Sequence, residues 1–251
     1  MRLMKRLAIC ILAAAMAMSI LTACGDDAPS APADSTPSAS QEEEKKDDPP
    51  KEEEKDDENT DQPEEGKLYP VEGATWADST TKVYFANKGI TSTNYYLDAI
   101  VAEIKDNQAA NAGTLKLAYL GNKREGSFED AKTQDGVTFY QNDGGKFYEL
   151  TETGWNEASV DRVKSYLALV DKVFEVPETV VSFSAYTMTI QGQSILYEVV
   201  ITPNGSHTYG YDSDGDLITV SSAAEINGEK KVYTLWPKTL TKCDPAYFPQ
   251  L

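Results

Sequence analysis

Histidine is almost missing from this chain: one stands among 251 residues, beside three cysteines. Structural zinc wants several His or Cys ligands, so that class is close to excluded. A catalytic triad or Cys–His pair needs its histidine beside a nucleophile held by the fold. The single candidate, His207 in SHTYGY, reads as a residue at the start of a strand. The sequence has no Walker A motif, no G-x-G-x-x-G after a strand, no H-E-x-x-H and no G-x-S-x-G. No cofactor is expected. Positive charge is scarce as well. Lys and Arg number 23 against 41 Asp and Glu, a formal net charge of −18. Without a basic patch or interleaved Arg and aromatics, nucleic acid is excluded as a partner. The apolar run at residues 7–20 falls short of the about 20 residues that a bilayer span needs.

That short run has another reading. Arg2, Lys5 and Arg6 precede it and small residues follow, which is the pattern of a secretory signal. It ends in Leu21-Thr22-Ala23-Cys24, which resembles the lipobox of bacterial lipoproteins. The resemblance implies cleavage before Cys24 and a diacylglyceryl group, with acyl chains such as palmitate, on its thiol. Two or more acyl chains anchor firmly, at about 0.8 kcal/mol per buried CH₂. The expected address is the outer face of the bacterial cell membrane. Cys10 would leave with the signal and Cys24 would be acylated. Cys243 would then stand alone, so no intrachain disulfide is expected, and it reads as a small buried hydrophobe.

Residues 26–65 contain no aromatic residue and no Val, Leu or Ile. They hold 17 acidic residues against 4 lysines. Such a segment has no apolar area to offset its chain entropy, and like charges with prolines stretch it. The expected organisation is a signal at 1–23, a lipidated N-terminus and acidic stalk at 24–66, and one folded domain at 67–251. The last is long enough for a real core.

Within the domain, the spacing of Tyr96, Ile100 and Ile104 predicts a helix over 94–105, and SVDRVKSYLALVDKVFE predicts a second over 159–175. Ser159 is the N-cap candidate and Pro177 the stop for this second helix. The rest reads as strands. GTLKLAYL is one. VTFYQNDGGKFYELT is a hairpin turning at residues 142–145. Two long strands, at about 180–190 and 194–202, meet at Gln191-Gly192-Gln193. HTYGYDSDGDLITVSS adds a pair turning at 213–215, and KKVYTLWP one more. Short connections demand an antiparallel meander. Apolar residues on both faces of several strands point to an α+β fold: a curved antiparallel sheet, an incomplete β-barrel, with about two helices packed on one face.

With the signal, lipobox and charged stalk, the phrases FYQNDGGKFYELT and YGYDSDGDLITV resemble carrier-type lipoproteins of the LolA and LppX superfamily, over about residues 91–236. The resemblance implies an incomplete barrel closed by helices, with a lipid or lipoprotein as cargo. No family binding residue transfers to a numbered position.

Candidate chemistry is sparse. Asp212, Asp214 and Asp216 gather three carboxylates, and calcium takes six to eight oxygens. But the glycine comes too early for an EF-hand and Ala223 stands where its closing glutamate belongs, so Asp-Gly reads as a turn. Glu149 and Glu152 form an acidic pair of the kind a glycosidase uses, with nothing to set them apart from solvated carboxylates. Tyrosines 95, 96, 119, 140, 148, 186, 197, 209 and 211 are core candidates or the lining of a cavity for an apolar or glycan ligand. Three readings follow. A non-enzymatic carrier of a hydrophobic small molecule or lipid predicts an apolar hollow. A surface module binding a protein or wall polymer predicts a filled core and an exposed aromatic patch. A hydrolase predicts His207 or a carboxylate pair inside a pocket.

Overall fold

The computed structural model describes residues 63–105, 108–226 and 229–249. Its antiparallel sheet begins with β1 (Leu68–Pro70), β2 (Asn94–Lys105), β3 (Gln108–Leu120), β4 (Lys123–Asp130), β5 (Gly136–Gln141), β6 (Phe147–Thr151) and β7 (Gly154–Glu157). It continues with β8 (Ser182–Ile190), β9 (Gln193–Thr202), β10 (Gly205–Tyr211), β11 (Leu217–Ile226) and β12 (Glu229–Thr241). Helix α1 (Thr80–Lys88) lies between β1 and β2, and α2 (Val160–Val173) between β7 and β8. The expected signal, Cys24 and the expected stalk as far as residue 62 fall outside the described residues. Glu65 and Gly66 already pair with β8, through a bridge to Thr189 and a Gly66 N–H to Thr189 carbonyl bond of 2.8 Å.

The spatial order is β1-β8-β9-β10-β11-β12-β2-β3-β4-β5-β6-β7. Two meanders, β2–β7 and β8–β12, are thus joined side by side where β12 pairs with β2. β1 and β7 are the free edges, so the curved sheet does not close. Both edge strands are short, which limits pairing with other chains. The turn between β8 and β9 places Gln191 at φ 51° and Gly192 at φ 73°. Positive φ at both central residues gives the twist that a two-residue hairpin needs.

The helix expected at 94–105 is a strand, β2. Tyr96, Ile100 and Ile104 lie four apart, which is one face of a helix and equally one face of a strand. The other parity decides: Tyr95, Leu97, Ala99 and Val101 are all buried, so the segment has two apolar faces and period 2. The first helix is instead α1. Its N-cap Ser79 accepts from the Lys82 N–H at 3.1 Å, and Gly89 ends it at φ 64°. The second helix is where the sequence puts it, although Ser159 makes no side-chain cap bond and the helix stops at Val173, ahead of Pro177.

Both helices cover one face of the sheet. Phe85 of α1 and Leu167, Val170 and Val173 of α2 join Leu97, Leu115, Leu117, Phe139, Val200, Tyr209, Val220 and Leu235 in the main core. Gly126 lets this core close: a Cβ there would stand 2.5 Å from Phe139 Cζ. The opposite face carries smaller clusters. One joins Ala118 and Tyr140 to Cys243 and Phe248 of the C-terminal segment, which folds back over the sheet.

Glu198 of β9 fixes α1. Its two carboxylate oxygens accept the backbone N–H groups of Thr80 and Thr81, each at 2.7 Å. These are amides that a helix start leaves without an intrahelical partner, at its positive end.

A candidate cleft beside the end of helix α2

Antiparallel register lines up Tyr95 with Tyr119, Tyr119 with Arg124, and Arg124 with Gln141, one row across β2, β3, β4 and β5. The row ends beside the C-terminal end of α2. There a cleft of about 600 Å³ opens, with Tyr95, Tyr119, Phe174 and Val176 among its apolar lining. Arg124, Asp171, Lys172, Glu175, Glu178 and Asn204 bring charge and amide groups to it. A second cleft of about 330 Å³ shares Tyr119 and Arg124 and continues past Gln141 to Asp143 and Gly145.

Arg124 is held at the junction. Its guanidinium lies 4.2 Å over the Tyr119 ring, donates to Tyr119 Oη at 3.0 Å and to Asp171 Oδ1 at 3.3 Å. Tyr95 meets the Tyr119 ring edge-on at 5.8 Å and Phe174 at 5.2 Å. Burial raises the Tyr95 hydroxyl well above the usual phenol range.

His207 lies deep beside this cleft and is 3% exposed. Its Nε2 is 3.1 Å from Glu175 Oε2. A carboxylate only accepts, so Nε2 carries the proton. Glu175 Oε2 also accepts from the Thr202 hydroxyl at 3.4 Å. The His207 hydrogen bond, working against burial, holds the Glu175 carboxyl below its ordinary value. His207 Nδ1 is buried and meets no donor or acceptor. No hydroxyl or thiol of the described residues is therefore placed for this imidazole to activate. Two more bonds hold the end of α2: Tyr209 Oη donates to the Glu175 carbonyl and Ser222 Oγ to the Lys172 carbonyl.

Of the other residues singled out by the sequence, the acidic ones and Cys243 do not line this cleft. Asp212 Oδ1 accepts the N–H groups of Asp214 (3.1 Å) and Asp216 (2.9 Å), and Gly215 takes φ 79°, so the three aspartates build the β10–β11 turn. Among the described residues no group of three or more His, Cys, Asp or Glu is placed to hold a metal. Glu149 stands in β6 opposite Asn156, and Glu152 is exposed in the following turn. Cys243 is buried, and burial raises its thiol pKa. The tyrosines divide. Tyr95 and Tyr119 line the cleft, while Tyr209 and Tyr211 belong to the main core. Tyr96, Tyr140 and Tyr148 lie on the opposite face, where Tyr247 stacks on Tyr96 at 4.2 Å and is 44% exposed.

Sequence reasoning passes over Arg124, Asp171 and Glu175. One signal is present: Arg124 is one of only four arginines in a lysine-rich chain, and arginine suits bidentate and stacked sites as lysine does not.

No family model matches this sequence, and no curated protein matches it. Among solved structures, the chain is similar to a LolA superfamily protein from Nitrosomonas europaea at 10% identity, over 68% of this chain and 96% of that one, with a TM-score of 0.30. It is also similar to a DUF1329 family protein from Desulfovibrio piger at 9% identity, over 68% of this chain and 95% of that one, with a TM-score of 0.28.

Proposed function

We propose that this chain is an exported, lipid-anchored binding protein with no catalytic centre of its own, and that it carries a hydrophobic or amphiphilic ligand at the cleft beside α2. The observation that carries this reading is the cleft's make-up: aromatic and aliphatic side chains from Tyr95, Tyr119, Phe174 and Val176 set beside charged groups in one lining. Its volume falls within the about 300–1,000 Å³ typical of small-molecule sites. The imidazole of His207 faces a carboxylate and no nucleophile, which favours binding over hydrolysis.

Native mass spectrometry of the chain purified from a lipid-containing host, followed by organic extraction, tests the cargo. A stoichiometric lipid is expected, and repeated purification without one, from hosts of different lipid composition, removes the carrier reading. The anchor is tested apart from the cargo. Cys24→Ala is expected to move the protein from the membrane to the soluble fraction, and retention in the membrane would refute acylation there.

A second reading has its own support. The helix-covered face is filled with side chains, and the opposite face displays the Tyr96–Tyr247 stack. On this reading the domain is a surface module whose outer aromatics meet a protein or a wall polymer. It expects an empty mass, and partner binding that Tyr247→Ala abolishes while Arg124→Lys in the cleft leaves it intact.

A further inference from the structure

We propose that Arg124 anchors an anionic group, a phosphate or carboxylate, of the ligand; the inference rests on the cleft being the binding site. A guanidinium has five N–H donors in a planar fork. Two are engaged here, one by Tyr119 Oη and one by Asp171 Oδ1. Its place over the Tyr119 ring and the bond to the Tyr119 hydroxyl hold the fork at this spot. The remaining donors are thus already oriented, as bidentate recognition of carboxylate or phosphate requires. The side chain is 19% exposed, so a ligand reaches it without the guanidinium being fully solvated. It borders both clefts, and Lys172 adds a second positive charge to the larger one.

Three carboxylates line the same cleft, and their geometry decides the sign of the ligand. Glu175 is turned to His207 and Thr202. Glu178 accepts from the Ser92 hydroxyl. Asp171 alone is paired with Arg124, by one 3.3 Å contact, and its side chain is 57% exposed. An ion pair this open is weak. Asp171 is therefore the internal anion that a ligand's anion displaces. The apolar part of the ligand then lies against Phe174, Val176 and Tyr95. The chemical class is an acidic amphiphile.

Calorimetric titration of the full chain carrying Cys24→Ser, with three probes, distinguishes anion from chain. Dodecyl phosphate has both chain and anion, dodecanol the chain alone, and inorganic phosphate the anion alone. Dodecyl phosphate is expected to bind tightest. Arg124→Lys keeps the charge but loses the fork, and is expected to weaken dodecyl phosphate about tenfold while leaving dodecanol unchanged. Asp171→Asn, at an exposed position, is expected to tighten dodecyl phosphate severalfold by removing the competitor. Equal binding of dodecyl phosphate and dodecanol, both indifferent to Arg124→Lys and Asp171→Asn, overturns the anion anchor and leaves the carrier reading standing. Arg124-dependent binding of inorganic phosphate, with no gain from the chain, upholds the anchor and overturns the hydrophobic cargo. No binding by any probe overturns both.

Discussion

Glu198 is 2% exposed in the middle of β9, yet its two oxygens serve two helix-start amides. Glu198→Gln keeps the shape but turns an NH₂ donor toward one of those N–H groups. Hydrogen bonds to a charged partner contribute about 1.5–3 kcal/mol, and a loss of that size is expected in chemical denaturation, with α1 detaching first. An unchanged denaturation midpoint would refute the cap. Glu175 sets a second expectation. Its carboxyl is held below the ordinary 4.5, first by the hydrogen bond from His207. A carboxylate with a lowered pKa adds stability that is present above the unfolded value and is lost as pH falls through the folded one. The chain should therefore lose stability below pH 4.5 more steeply than its Glu175→Gln variant, as unfolding midpoints across that range will show. Parallel acid profiles would dissociate Glu175 from acid stability. Neither residue stands out in the sequence. Each acquires its role from partners 117 or 118 positions away for Glu198, and 32 for Glu175.

At the level of elements, the legible features are those whose signals are local. The hairpin turns at 142–145, 191–193 and 213–215 are written in Gly, Asn and Asp, and each joins the strands expected of it. The amphipathic stripe of α2 is plain for the same reason. β2 is not, because a spacing of four satisfies both periods, and only burial of its second face separates them. α1 escapes notice because it buries only Thr81 and Phe85. Besides Phe85 in the core, caps at both ends hold it, and at its start one of them is the distant Glu198. The candidate cleft is illegible for a related reason. Tyr95, Tyr119 and Arg124 are neighbours only through strand register, and Phe174 reaches them only once α2 is laid on the sheet.

For the whole molecule, the sequence announces a curved antiparallel sheet with two helices on one face, and this is the architecture found. It does not announce the seam. Most neighbouring strands are also neighbours in sequence, but β12 meets β2 across most of the domain, as in the pairing of Leu235 with Val101. Closing so long a loop has an entropic cost that must be met before the contact stabilises anything. Pulsed hydrogen exchange during refolding is therefore expected to protect the β3–β4 and β8–β9 amides before those between β12 and β2. Protection of the seam first would reverse this order.

The entry strand has a mechanical meaning. β1 is three residues long, holds one edge of the sheet through β8, and receives the chain from the side of Cys24. If the N-terminus is anchored as proposed, a pull on the domain arrives first at Glu65 and Gly66, which pair with Thr189, and then at this strand. β1 pairs with β8 at only three positions on an edge of the sheet, far fewer than the inner strands share. On the lipid anchor proposed above, the attached end would be the soft end. Under tension on such an anchor β1 would peel away before the longer pairings of the sheet, and the cleft, which lies at α2, would stay folded behind it.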